Sequence, residues 1–258
     1  MQTAPLLIIQ AGTSPAEIRD QHGDVPSWFV NALDYPPEAV EVVRVFEGEP
    51  LPEPDARRAA VITGSWDMVT EKLPWSEATA GWIRRAVAIN MPVFGVCYGH
   101  QLMAYALGGT VEYHAKGREV GCQPIELHPA AADDPILHKL PARFPAHLTH
   151  LQTVTRLPPG ARVLASSAHD QHQIIRYGPN ALSTQFHPEF TPGIAQSLIH
   201  MRSGILHSEG WDPAALCRAL SDTHYAREIL KSFILNAIDT QTTEQDIHQQ
   251  GKKAASMN

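Results

Sequence analysis

Val93-Phe94-Gly95-Val96-Cys97-Tyr98-Gly99-His100-Gln101 is the stretch on which the fold turns. Pro92 to Val96 is short, apolar and uninterrupted, as expected for a strand buried on both faces. It runs into Gly-x-Cys-x-Gly, and Leu102 to Leu107 continues as a helix that stops at Gly108-Gly109. A nucleophile on a tight strand-to-helix turn has this layout. Small residues two before and two after Cys97 relieve crowding at the turn. The helix N-terminus favours thiolate over thiol. The backbone N–H of Tyr98 points where an oxyanion would form.

Working outward, Leu6 to Gln10, Val40 to Phe46 and Ala59 to Thr63 read as three further strands. Pro74 to Asn90 reads as a helix, with Pro74 in its first turn and Trp82, Ile83, Ala86, Val87 and Ile89 as its apolar stripe. Strands alternating with helices predict an α/β fold with three layers, a mostly parallel central sheet flanked by helices. From Thr110 to Phe186 the pattern changes to short strand candidates, Val120–Leu127, Arg162–Ser166 and Gln173–Tyr177, separated by Pro- and Gly-bearing turns. These predict added antiparallel hairpins. Helices resume at Thr191–Gly204 and Asp222–Ile238. Ser14 to Phe29 reads equally as a substrate-side loop or as an amphipathic helix broken by Gly23. Residues 1–239 are expected to form one domain, and the polar stretch 240–258 a frayed tail.

A thiol nucleophile needs a base. Ser183 to Phe190 reads Ser-Thr-Gln-Phe-His-Pro-Glu-Phe, with His187 at the end of an apolar strand and Glu189 two residues on. On an extended chain such residues lie on one side, about 6–7 Å apart, so a carboxylate can hold one imidazole nitrogen and leave the other for the thiol. Thr191-Pro192 starts a helix at once, which puts His187 at the sheet edge where open α/β folds build their sites.

Composition narrows the function. With 43 % hydrophobic and 18 % charged residues the chain can bury a sizeable core. A net charge of −7, with no basic cluster beyond pairs such as Arg57-Arg58, argues against nucleic-acid or anionic-membrane partners. No segment has the length and apolarity of a membrane span, and the N-terminus reads as a first strand rather than a signal peptide. Cys97, Cys122 and Cys217 form neither an even disulfide framework nor a metal knuckle, which points to the cytoplasm. The remaining histidines show no metal-ligand spacing, so no metal is expected.

Gly95 to Gln101 together with Gln185-Phe186-His187-Pro188-Glu189 resembles the class I (triad) glutamine amidotransferases, closest to the stand-alone GMP-synthase-like branch that also includes plant γ-glutamyl peptidases. The likeness runs from about Leu6 to Ile238. It implies the flavodoxin-like class I fold and a Cys97–His187–Glu189 triad. Val61-Ile62-Thr63-Gly64-Ser65-Trp66 resembles the family loop whose backbone N–H, at Gly64 or Ser65, completes an oxyanion hole with Tyr98. Gln101 matches a position that contacts bound glutamine, and His150 matches the His of the Ser-His-x-Asp-x-Val segment, in which Gln152 replaces the usual Asp.

The resemblance implies attack by Cys97 on the γ-amide of glutamine, a γ-glutamyl thioester, and no cofactor. No Ser-Gly-Gly-x-Asp-Ser loop of an ATP-pyrophosphatase and no G-x-x-x-x-G-K-[ST] occurs, and too few residues follow Ile238 for a synthase domain. Three readings therefore stand: a glutaminase whose ammonia goes to a separate synthase subunit, an autonomous γ-glutamyl peptide hydrolase, or a non-catalytic binding protein on the same scaffold.

Overall fold

The computed structural model describes residues 5–238; the expected tail at 240–258 lies outside them. The strands are β1 (Leu6–Gln10), β2 (Val40–Arg44), β3 (Ala59–Ile62), β4 (Val93–Val96), β5 (Thr110–Tyr113), β6 (Glu119–Leu127), β7 (Arg143–His150), β8 (Gln152–Arg156), β9 (Arg162–Ser166), β10 (Ile174–Gly178) and β11 (Ala181–Thr184). The helices are α1 (Ala16–His22), α2 (Val25–Leu33), α3 (Pro74–Ala88), α4 (Tyr98–Ala106), α5 (Pro192–Met201), α6 (Ser203–Ser208), α7 (Pro213–Arg218) and α8 (224–238).

The main sheet has nine strands in the order β2-β1-β3-β4-β11-β10-β9-β6-β7. From β2 to β11 neighbours run parallel; from β11 to β7 they run antiparallel. The added hairpins thus continue the parallel sheet, and β5 pairs with β8 as a separate ribbon.

Alternation along β1 explains the three layers. Leu6 and Ile8 pack with Trp28, Phe29, Ile194, Leu198 and Phe233 from α2, α5 and α8. Leu7 and Ile9 pack with Trp82, Ile83, Leu102 and Met103 from α3 and α4. A strand covered on both faces has no solvent side, which is why its sequence is continuously apolar.

Several boundaries differ from the sequence reading for local reasons. The second strand ends at Arg44, because Val45–Glu47 turns tightly and Gly48 takes φ 87°. The stretch expected as one helix over Thr191–Gly204 is split at Arg202 into α5 and α6. Gly23, at φ 76°, breaks Ser14–Phe29 into α1 and α2. Strands β7 and β8 are not among the strands read from the sequence, although Phe144, Ala146 and Leu148 alternate along β7 and are buried.

Candidate active site

The loops after β1, β3, β4 and β11 meet at the carboxyl edge of the parallel strands, beside the point where chain order reverses between β1 and β3. Cys97 sits between β4 and α4 at φ 52°, ψ −100°, a strained conformation for a residue with a side chain. Two glycines make that turn fit. A Cβ on Gly95 would lie 2.6 Å from the Gly99 carbonyl oxygen, and one on Gly99 would run into the Ile62 carbonyl. The turn is anchored by Cys97 N–H donating to Thr184 O at 2.9 Å and Gly99 N–H donating to Thr63 O at 3.2 Å.

His187 comes from β11 by a different path than strand geometry suggests. The strand ends at Thr184, and residues 185–190 bend so that His187 N–H donates to His147 O on β7 at 2.9 Å. The bend brings Glu189 Oε1 to 2.7 Å from His187 Nδ1, and Phe190 stacks on the imidazole at 4.0 Å. All of Cys97, His187 and Glu189 are buried. The other imidazole nitrogen, Nε2, has no tight hydrogen bond to the protein and is left for the thiol. A Cβ on Gly64 would meet His187 Cε1 at 3.1 Å and Cys97 Cβ at 3.8 Å, so thiol and imidazole flank one point, where a side chain would press on the imidazole.

The charges follow from this packing. Burial alone would raise the Cys97 thiol, but His187 beside it outweighs burial and brings the pKa below the usual thiol range. Burial alone would lower His187, but Glu189 and Cys97 outweigh it and raise the imidazole well above its usual value. Thiolate and imidazolium therefore stabilise each other.

Cys97, His187 and Glu189 line one cleft of about 50 Å³ with Gly64, Ser65 and Trp66. Thr63 fixes the Gly64–Ser65 loop: its N–H donates to Ile9 O at 3.1 Å, and its Oγ1 accepts Ala11 N–H at 3.0 Å. Tyr98 opens α4, so its N–H has no acceptor within the helix, while its phenol donates to Ser76 Oγ at 2.6 Å. Gln101 and His150 do not line the cleft. Both donate to one acceptor, the Gln152 carbonyl, at 2.7 and 2.9 Å. His150 Nε2 also lies 2.9 Å from Glu119 Oε2, and Asp170 lies 4.0 Å from Nδ1. Carboxylates near His150 thus come from positions 119 and 170 instead of 152.

Glu119, His150 and Asp170 are close enough to hold a cation, a grouping absent from the sequence reading because the three lie on separate segments. Both His150 nitrogens are already bonded within the protein, which does not fit a metal ligand. The sequence reading also missed Arg202, Trp28, Thr149 and Gly12, which complete the cleft wall. Trp66 is held in the cleft wall by Nε1–H donating to Thr13 O at 2.7 Å.

With this geometry in hand, comparison with known proteins places the chain. Residues 42–203 match the model for class-I glutamine amidotransferases. The chain belongs to that family. Among curated members, a GMP synthase (glutamine-hydrolysing) of Thermomicrobium roseum is 42 % identical over 100 residues, 39 % of this chain and 18 % of the synthase. The chain thus matches about a fifth of the length of that relative. Gamma-glutamyl peptidase 4 of Arabidopsis thaliana is 26 % identical over 224 residues, 83 % of this chain and 88 % of the peptidase. Among solved structures, a glutamine amidotransferase from Thermotoga maritima superposes with a TM-score of 0.72 at 21 % identity, over 92 % of this chain and 99 % of that one. One from Methylobacillus flagellatus gives 0.69 at 23 %, over 92 % and 96 %. The last two share the class I amidotransferase fold, which is the α/β architecture expected from the sequence. No helix among the described residues is long and apolar enough to cross a membrane.

Proposed function

We propose that the chain hydrolyses the γ-amide of glutamine through a γ-glutamyl thioester on Cys97. The observation that carries this reading is the imidazole of His187, held at 2.7 Å by a buried carboxylate on one nitrogen and left free on the other, in one cleft with the elbow thiol. The Cys97 thiolate adds to the γ-carbonyl carbon, and the carbonyl oxygen takes the negative charge. Backbone N–H groups of Tyr98 and of Gly64 or Ser65 stabilise that oxyanion. The tetrahedral adduct collapses, its C–N bond breaks, and the departing nitrogen takes the proton of the His187 imidazolium. Neutral His187 then accepts a proton from water, whose oxygen attacks the thioester and expels the Cys97 thiolate. Glutamate and ammonia are the products. Glu189 orients the imidazole and stabilises its charged form. Gln101 and His150 act only at a distance, by holding the start of β8 through the Gln152 carbonyl that both bind. No metal or organic cofactor takes part. The GMP synthase relatives support a separate synthase subunit as ammonia acceptor, and three free cysteines support a cytoplasmic setting.

A second reading rests on the Arabidopsis peptidase, whose likeness covers 83 % of this chain, whereas that to the Thermomicrobium synthase covers 39 %. The same steps then cleave γ-glutamyl peptides, with an amine as leaving group and no partner. Glutamate release from glutamine and from γ-glutamyl dipeptides, with Cys97→Ser as control, separates the two. Dipeptide turnover well above glutamine turnover selects the peptidase. Equal rates in wild type and Cys97→Ser would overturn both and leave a binding protein on this scaffold.

A further inference from the structure

The cleft holds a cation for which the proposed reaction has no use. Arg202 joins α5 to α6. Its guanidinium lies 4.5 Å above the Trp66 ring and donates to Thr149 Oγ1, and it lines the same cleft as Cys97 and His187. Among the described residues no carboxylate lies within ion-pair distance of it. Glu209, which acts on it from farther away, is bound by Arg118 at 2.8 Å. Glu189, the acid in the cleft wall, is engaged by His187. Burial lowers the Arg202 pKa to about 10 and Arg118 pushes it the same way, and the opposite pulls of Cys97 and Glu209 do not make up for either, as expected of a desolvated charge without an ion-pair partner.

We propose that Arg202 is a specificity residue that binds a carboxylate of the substrate while the amide lies at Cys97; this rests on the amide-hydrolysis reading above. A guanidinium presents a planar fork that matches a carboxylate with two parallel hydrogen bonds. Trp66 fixes the plane of that fork, and is itself tied to Thr13 O, so the edge of the guanidinium is preset for a ligand. Every γ-glutamyl compound carries an α-carboxylate four C–C bonds from the scissile carbonyl carbon, a reach of about 5 Å. A γ-glutamyl amino acid carries a second carboxylate on its leaving group. Both offer the chemistry that Arg202 lacks inside the protein.

Binding is measured by calorimetry on Cys97→Ser protein, which needs no turnover, with and without Arg202→Gln. The ligands are glutamine, 4-aminobutyramide (glutamine without its carboxylate), γ-glutamylglycine and γ-glutamylglycinamide. Kd is expected to weaken about 10–100-fold on losing charge-assisted hydrogen bonds. Loss for glutamine and both dipeptides, with 4-aminobutyramide weak throughout, assigns the α-carboxylate. Loss for γ-glutamylglycine alone assigns the leaving-group carboxylate. Unchanged Kd for all ligands overturns the proposal. In protein with Cys97 intact, Arg202→Gln is expected to raise KM far more than it lowers kcat, and Arg202→Lys to recover part of the loss. Thermal melts establish that both variants fold, and the lysine variant serves if the glutamine variant does not. A protein that binds in an Arg202-dependent way yet releases no glutamate sinks the hydrolysis reading and leaves this one standing. Cys97-dependent turnover indifferent to Arg202 does the reverse.

Discussion

Among the described residues two buried histidines are hydrogen-bonded to a carboxylate, and only one of them keeps its other nitrogen unbonded beside a thiol. His187 and Glu189 meet at 2.7 Å; His150 and Glu119 meet at 2.9 Å. In both, a carboxylate outweighs burial and raises the imidazole pKa. They differ at the second nitrogen. His150 Nδ1 donates to the Gln152 carbonyl, so both of its nitrogens are spent on holding β6 and β8 together. His187 Nε2 has no such bond and shares its cleft with Cys97. A carboxylate–imidazole pair is therefore no mark of an active site by itself; the proposed function rests on the uncommitted nitrogen beside a thiol.

Substitution should separate the pairs by rate and by stability. The largest effect is expected for His187→Gln: loss of glutamate release by about 10⁴-fold or more, as when a catalytic triad loses its base. Glu189→Gln should cost on the order of 10²–10⁴-fold, because the imidazole loses its orienting charge. His150→Gln should leave the rate within about tenfold of wild type, since His150 reaches the thiol only through long-range charge. Its effect should fall on stability. The folded pKa of His150 is raised, so its contribution is complete below the unfolded value and fades as pH rises through the folded one. The gap in melting temperature between wild type and His150→Gln should therefore be widest at mildly acidic pH and shrink in base. A constant gap, or a rate loss as large as that of His187→Gln, would erase the distinction between the pairs.

The pH profile sharpens it further. With the thiol lowered and the imidazole raised, kcat/KM should show a bell. Activity should appear as pH rises through the depressed thiol value and decline only above the ordinary histidine range. Midpoints at ordinary cysteine and histidine values would mean that the two side chains do not stabilise each other's charges.

What the sequence could disclose divides along the same line. The elbow was legible because its constraints are local: Gly95 and Gly99 are glycines for reasons found within a few residues and one neighbouring strand. A Gly99→Ala variant tests this, with overpacking of about 1–3 kcal/mol expected to lower the melting temperature by several degrees. The parallel half of the sheet was legible because β1, β3 and β4 are apolar on both faces. His187 and Glu189 were found two residues apart, although a bend and not an extended strand unites them. The roles of Glu119, Asp170 and Arg202 were hidden, because each depends on segments that meet only in the fold. Arg202 ends an amphipathic helix, where a surface cation is the ordinary expectation.

The thioester itself is the most direct test. Wild-type protein mixed with glutamine or a γ-glutamyl dipeptide, quenched in acid and digested, is examined by mass spectrometry for a glutamyl adduct. The adduct is expected on the peptide containing Cys97, absent in Cys97→Ser and from the peptides of Cys122 and Cys217. Its appearance on either of those cysteines, or glutamate release that persists in Cys97→Ser, would contradict the assignment.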